Sequence, residues 1–306
     1  MLDNVTDISP QGIKNNTFKW RIHTWCNYRC EYCVQGLQKD KAIDKDTLFY
    51  RAAKVKEILN DSPKKVNLSL IGGEICCLDL CSVFNALYNE KIEGLHVVTN
   101  LSASADYWKK LNNACKEKNI HLHIYSSFHY TQVSFDKFIN KIKELSDNGI
   151  HIKWSFVVFD DNLKQAESWV EKARSLNVPL PQIKYKREHS GEILVSDAVR
   201  DFVKANTDPE GCDITVTYDD DTKVTVRGAT ELKSLAEQLN TKGMFCTHHH
   251  VQLNLNEKGE LQQGNGRCFP RIPLENYTPD IWNPMIIKCE RDFCGYCNYP
   301  HIWRQQ

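Results

Sequence analysis

The sequence predicts an α/β chain, with a partial (β/α)6 TIM-like barrel over residues 1–190 and a small C-terminal α+β part. Three observations predict it. From residue 17 to 190, short β-rich runs alternate with stretches of helical period, and strict alternation means parallel strands with right-handed crossovers. Glycine, carboxylate, amide and hydroxyl residues collect where those runs end, which is where such barrels gather their chemistry. Beyond about residue 190 the helical spacing gives way to alternation of period two.

The six candidate strands are TFKWRIHTW (17–25), KKVNLSLIGG (64–73), LHVVTN (95–100), HLHIYSSF (121–128), HIKWSFVVF (151–159) and LPQIKYKRE (180–188). Between them lie amphipathic stretches with start and stop signals. Asp44 or Asp46 is placed to cap the first, and Ser134 and Gly149 bracket KIKELS. After residue 190, DITVTYDDDTKVTVRG (213–228) reads as a hairpin around an acidic turn, with a helix in ATELKSLAEQLN after it. HHHVQLNLNEKGELQQGNGRC reads as a second hairpin turning at 257–259. This gives three segments: a barrel at 1–190, a hairpin-plus-helix insert of unassigned role at 191–245, and a C-terminal domain at 246–306 that packs on the barrel.

Composition narrows the function. Lys plus Arg and Asp plus Glu both number 39, so the net charge is zero. That argues against nucleic-acid binding by a bulk positive field. The first residues lack a signal-peptide core, and no apolar run reaches the roughly 18 residues of a membrane span, so a cytoplasmic chain is expected. In a reducing compartment the 13 cysteines are thiols or metal ligands rather than disulfides. They cluster at both ends of the chain. Cys26, Cys30 and Cys33 follow the first strand, and Cys246, Cys268, Cys289, Cys294 and Cys297 fall in the last fifth. Two metal sites are implied.

The first group supplies three thiolates, one short of the four that close a structural zinc site. On a [4Fe–4S] cluster, three thiolates leave one iron open; a partial zinc knuckle is the alternative. With Tyr32 before its last cysteine, Cys26-x3-Cys30-x2-Cys33 resembles the CxxxCxxC signature of the radical SAM superfamily, and Gly72-Gly73-Glu74 matches that family's GGE. The resemblance implies that the triplet holds a [4Fe–4S] cluster whose open iron takes S-adenosylmethionine. Gly72 and Gly73 would let the backbone approach the methionine part, and Glu74 or nearby carbonyls would accept from its α-ammonium. Ser126 and Ser127 would contact the ribose, the stretch around Val157 and Val158 the adenine, and Asn100 would face the same pocket.

The second group, with a hairpin between Cys246 and Cys268 and a closing Cys294-x2-Cys297, resembles the twitch domain, a short relative of SPASM extensions that holds one auxiliary [4Fe–4S] cluster. The expected ligands are Cys246, Cys268, Cys294 and Cys297, with Cys289 as a substitute; a four-cysteine zinc site is the alternative. His248-His249-His250 reads as a surface strand, because alternation puts at most two of its rings on one face. Lys184 or Arg187 is placed to meet an anion, or else is a solvated charge. Cys212, outside both groups, is a candidate hydrogen-atom donor or an ordinary buried thiol.

The resemblance implies an oxygen-sensitive radical SAM oxidoreductase, supplied with electrons by an external donor such as flavodoxin or ferredoxin. It would abstract a hydrogen atom from a C–H bond and pass the substrate electron to the auxiliary cluster. Only about 25 residues precede Cys26, which favours a small-molecule or carbohydrate substrate. The alternatives are an epimerase, a peptide-modifying (RiPP maturase) enzyme and a non-catalytic metal-binding interaction protein.

Overall fold

The computed structural model describes residues 5–10, 15–33, 42–186, 195–206, 213–218, 220–227, 245–247, 252–264, 270–283, 286–288 and 301–303. In chain order its elements begin with β1 (Val5–Pro10), β2 (Asn16–Arg21), α1 (Lys45–Asn60), β3 (Val66–Ile71), α2 (Leu80–Leu87), β4 (Ile92–Thr99), α3 (Ala105–Lys116) and β5 (His121–Phe128). They continue with α4 (Phe135–Asp147), β6 (His151–Val158), α5 (Leu163–Ser175), β7 (Gln182–Tyr185), α6 (Asp197–Asn206), β8 (Asp213–Tyr218) and β9 (Lys223–Arg227). The remaining strands are β10 (Phe245–Thr247), β11 (Gln252–Leu255), β12 (Glu260–Gln263), β13 (Arg271–Pro273), β14 (Ile287–Lys288) and β15 (His301–Trp303). They fall into two compact units, one of residues 20–57 and 67–208 and one of 1–19, 58–66 and 209–306. None of the described helices is long and apolar enough to cross a membrane.

The first unit is the expected α/β architecture. Its strands run in the order β2-β3-β4-β5-β6-β7, and the pairs β4–β5, β5–β6 and β6–β7 are parallel. One face of every strand is apolar and buried: Leu68 and Leu70, Leu95 and Val97, Leu122 and Ile124, and Ile152, Trp154 and Phe156. The helices cover this face. Trp169 of α5 meets Phe128 edge-on at 4.9 Å and Phe156 at 5.3 Å, and Phe138 of α4 meets Phe128 at 5.1 Å. Burial of such side chains contributes about 1.5–3 kcal/mol each.

The other face is polar, because successive residues of a strand point to opposite sides. His96, His123 and His151 sit side by side across β4, β5 and β6, their rings 4.8 and 4.7 Å apart. Tyr125, Ser127, Lys153, Ser155 and Val157 continue that face towards the strand ends.

Local chemistry fixes the helix limits. Asp44 starts α1 by accepting from Thr47 N at 2.8 Å, Ser134 caps α4 through Lys137 N at 3.4 Å, and Gly149, at φ 71°, stops it. Each such cap is worth about 1 kcal/mol. Helix α6 is absent from the sequence expectation; it buries Val199 and Val203, too few apolar positions to stand out as a periodic stretch.

The second unit is antiparallel. One sheet has the order β14-β10-β15-β1-β8-β9, with β1 between β8 and β15. The acidic hairpin forms as expected, Asp213 opposite Arg227, and turns where Asp220 accepts from Thr222 N at 2.9 Å. The second hairpin pairs Leu253 with Gln263 and Leu255 with Leu261, and Gly259 adopts φ 83° in its turn. Trp282 donates to Ile58 O at 2.9 Å. The helix expected at 229–240 lies outside the described residues.

Candidate active site

The candidate site is built where β2, β3, β4 and β5 end. Hydrogen bonds continue past the last paired residues of β2 and β3: Ile22 N donates to Ile71 O at 2.9 Å, Gly73 N to His23 O at 2.9 Å and Glu74 N to Trp25 O at 2.8 Å. The GGE turn is thereby laced to the segment that leads into Cys26. Its glycines are needed by that lacing. A Cβ on Gly73 would lie 2.0 Å from Trp25 O and 2.3 Å from Thr24 O, and one on Gly72 2.6 Å from His23 O. The space that a side chain would fill is occupied by the chain's own backbone.

Glu74 is 1 % exposed and fully engaged. Its Oε1 accepts from Cys76 N at 2.9 Å and from Thr99 Oγ1 at 2.7 Å, and its Oε2 accepts from Asn100 N. The carboxylate therefore clasps the ends of β3 and β4. Burial raises its pKa above the ordinary carboxylate value, while these hydrogen bonds pull it down.

Asn100, one residue beyond β4, reaches the cysteine loop. Its Nδ2 donates to Asn27 Oδ1 at 2.8 Å and lies 3.9 Å from Cys26 Sγ. Cys26 Sγ also accepts from Tyr28 N at 3.4 Å. Arg29 ties the loop together by donating to Cys26 O and to Tyr28 O, and Cys33 N donates to Cys30 O at 3.1 Å. At the other end of the loop, Cys30 Sγ is 3.2 Å from Nδ1 of His129, the residue after β5. Tyr32 lies between His129 and Tyr130, its ring stacked on both at 5.9 and 5.8 Å, and its hydroxyl is 3.3 Å from the same His129 Nδ1.

Burial disfavours ionisation of these thiols. Burial pushes the Cys30 thiol up to about 11, and the nearby Cys26 and Cys33 sulfurs add to the rise. Burial also raises Cys26, against the Tyr28 N–H that lowers it, with the Glu74 charge raising it further. Buried thiolates close together are unfavourable unless a metal compensates them. Three cysteine sulfurs form a soft donor set, suited to iron–sulfur clusters, zinc or copper(I). Among the described residues, no three His, Cys, Asp or Glu side chains converge on a point where a single ion could be held.

The remaining predicted residues fall on different faces. Ser126 lies on the buried, helix-covered face, where its Oγ donates to Lys153 O at 3.1 Å. Ser127 lies on the polar face, 3.5 Å from Ser155 Oγ. Val157 shares that polar face, whereas Val158 is fully buried under the helices. Lys184 lies near the end of β7, paired with Val157. Cys246 is on β10, its Cα opposite those of Ile287 and Ile302. Cys212, Cys268, Cys289, Cys294, Cys297, Arg187 and His248–His250 lie outside the described residues. His129, Tyr28 and Asn27 are residues that the motif reading left without a role. The signal for His129 was its place at the end of the run SSFH, on the strand end where the other polar residues gather.

A largely parallel sheet of six strands with helices on one face gives the chain the fold seen in solved radical SAM enzymes. In particular, the chain is similar to SuiB of Streptococcus suis, solved with S-adenosylmethionine bound, at 14 % identity over 88 % of this chain and 65 % of SuiB, with a TM-score of 0.55. It is also similar to anSMEcpe, solved with bound AdoMet, at 13 % identity over 88 % of this chain and 80 % of that one, with a TM-score of 0.57. The chain thus spans about two thirds of the length of SuiB. At such identities the likeness is one of fold. No family model matches the sequence, and no curated protein matches it.

Proposed function

We propose that the chain is a radical SAM enzyme in which Cys26, Cys30 and Cys33 hold a [4Fe–4S] cluster and the ends of the strands hold S-adenosylmethionine. The observation that carries the reading is the lacing of the cysteine loop to GGE and to Asn100 at one corner of the sheet, with thiols whose ionisation burial disfavours. When bound, the cluster and S-adenosylmethionine supply a 5′-deoxyadenosyl radical that removes a hydrogen atom from a C–H bond.

The chain's own residues shape the place where this happens. Glu74 holds the β3 and β4 ends in register, Asn100 and Tyr28 N–H direct hydrogen-bond donors at Cys26, and Tyr32 fixes the loop against His129 and Tyr130. The polar face below, with Ser127, Ser155 and Val157, is the wall that a ligand at the strand ends would meet. Because Glu74's carboxylate oxygens already serve three donors within the protein and its carbonyl lies 3.2 Å from His23 Nε2, the carbonyls of Gly72 and Gly73 are the better acceptors for a ligand ammonium. We further propose Cys246, Cys268, Cys294 and Cys297 as ligands of an auxiliary [4Fe–4S] cluster, with Cys289 as a substitute, and oxidation as the outcome.

For the substrate, we propose a small molecule or carbohydrate, and a peptide is the second reading. The peptide is favoured by two structures of the same fold: SuiB solved with the precursor peptide SuiA, and anSMEcpe with the Kp18Cys peptide.

The test is anaerobic reconstitution followed by addition of reductant and S-adenosylmethionine. Wild type is expected to release 5′-deoxyadenosine and to carry about eight irons per chain, at four per cluster. Cys26→Ala, Cys30→Ala and Cys33→Ala are each expected to release none. Release undiminished in all three variants would refute the assignment, and about four irons with one zinc would refute the auxiliary cluster.

A further inference from the structure

We infer that His129 is a positioning residue that donates its imidazole N–H to the sulfur of Cys30 and thereby raises the reduction potential of the cluster held there. The inference rests on the reading of Cys26, Cys30 and Cys33 as cluster ligands.

The geometry around His129 is over-determined. Phe128, the preceding residue, is 2 % exposed and anchored among Phe135, Phe138 and Trp169, so the backbone leaving β5 is fixed. The imidazole stacks on Tyr32 at an interplanar angle of 16° and takes the edge of Tyr28 at 83°. Two aromatic contacts at right angles leave the ring little freedom to turn. Held so, its Nδ1 is 3.2 Å from Cys30 Sγ and 3.3 Å from Tyr32 Oη.

Which of the two atoms donates depends on the sulfur. Beside a thiol, Nδ1 can accept the S–H. A ligating thiolate has lone pairs alone, so the same contact persists only when the proton sits on Nδ1, from where it is shared between Cys30 Sγ and Tyr32 Oη. Reduction adds negative charge to a cluster and its sulfurs, and a donor at a sulfur stabilises the reduced form; hydrogen bonds to sulfur are among the factors that set such potentials. Cys26 has donors of its own in Tyr28 N–H at 3.4 Å and, at a longer 3.9 Å, in Asn100 Nδ2. His129 is the side-chain donor at Cys30 and, at 3.2 Å, the shorter of the two side-chain contacts to these sulfurs.

The experiment compares the full-length reconstituted wild type with His129→Phe, which keeps the aromatic stack but has no donor, and with His129→Asn, whose amide N–H falls near the position of Nδ1. The measurement is a potentiometric titration followed by EPR, restricted to the signal that disappears in Cys30→Ala. His129→Phe is expected to lower the fraction reduced at a given potential about tenfold, a shift of 59 mV for one electron, and His129→Asn to recover most of the loss. A potential in His129→Phe equal to that of wild type, at equal iron content, would overturn the inference. So would equal depression in both variants, since ring packing rather than donation would then be responsible. Natively folded variants that both fail to take up iron would overturn it as well, because a donor tunes a cluster and does not hold it. If wild type shows no signal that Cys30→Ala removes, the cluster assignment itself fails, which is a separate result.

Discussion

Replacing Gly73 by alanine tests whether the GGE turn is required first by the protein's own packing. The new Cβ would stand 2.0 Å from Trp25 O, 2.3 Å from Thr24 O and 2.4 Å from Trp25 C, all backbone atoms, whereas real Cβ contacts essentially never fall below 3.0 Å. Relief therefore needs about 1 Å of separation between the turn and the 24–25 segment, and no flexible side chain can yield instead. The movement would break Gly73 N to His23 O and Glu74 N to Trp25 O, at about 1 kcal/mol each, on top of about 1–3 kcal/mol for overpacking. A loss of about 3–5 kcal/mol is expected, which for a chain of this size lowers Tm by about 2–4 °C per kcal/mol. Because the displaced segment ends at Cys26, iron uptake should fall together with stability. Apo-protein calorimetry and iron analysis read the two effects. The control is Gly94→Ala, whose Cβ would meet only side-chain atoms, Asn67 Oδ1 at 3.1 Å and His96 Nε2 at 3.2 Å, and which should cost less than about 1 kcal/mol. A Gly73→Ala apo-protein as stable as wild type would show that the close approach is not real and that the glycine serves a ligand alone.

Two further outcomes follow from the two faces of the sheet. Ser126→Ala, on the helix-covered face, should cost about 1 kcal/mol of stability and leave the KM for S-adenosylmethionine unchanged, whereas Ser127→Ala should raise that KM about tenfold, or about 1.4 kcal/mol; the reverse pattern would sink the face assignment. His123 is faced by His96 on β4, His121 and Tyr125 on β5, and His151 and Lys153 on β6; burial first, and then the charges of His96, His151, His121 and Lys153, lower its pKa from 6.5 to about 4, and burial lowers His96 too. A base whose folded pKa is depressed contributes stability that is complete above its unfolded value and is lost as pH falls to the folded one, so the urea midpoint of the apo-protein should drop between pH 6.5 and about 4. His123→Phe, which retains a ring but cannot be protonated, should flatten that drop; an identical pH profile would contradict the burial seen here.

Much of this was legible in the sequence, for physical reasons that also explain the gaps. Alternating β-rich and amphipathic runs gave the order of strands β2 to β7, because each strand's apolar residues must face helices and so repeat with period two. Capping was legible at Ser134 and Gly149, where one residue decides a helix limit. Strand β1 was not, since VTDISP is held by pairing with β8 and β15, more than 200 residues away in the chain. Motif matching brought Glu74 and Cys26 to one neighbourhood but could not tell that Glu74 is used up by Cys76, Thr99 and Asn100, because hydrogen-bond partners across strands have no sequence signal. Ser126 and Ser127 show the same limit. Which of two adjacent serines faces the helices depends on strand register, and a shift of one residue exchanges them.

The clasp at Glu74 ties these points to the chemistry. A buried carboxylate raised in pKa is costly, and it is retained here with donors from two strand ends: Cys76 N beyond β3, and Thr99 Oγ1 and Asn100 N at the end of β4. Together they fix the end of β4, and hence the Asn100 side chain that reaches Asn27 and approaches Cys26. The GGE turn fixes the same loop from the other side through His23 and Trp25. The position of the Cys26 sulfur is thus set by β2, β3 and β4 together, and that of Cys30 by β5 through His129. Three thiols on a short loop are a flexible ligand set when isolated. Referenced to four strands of one sheet, Cys26 and Cys30 lose that freedom, which supports the proposed reading of the loop as one that holds a cluster.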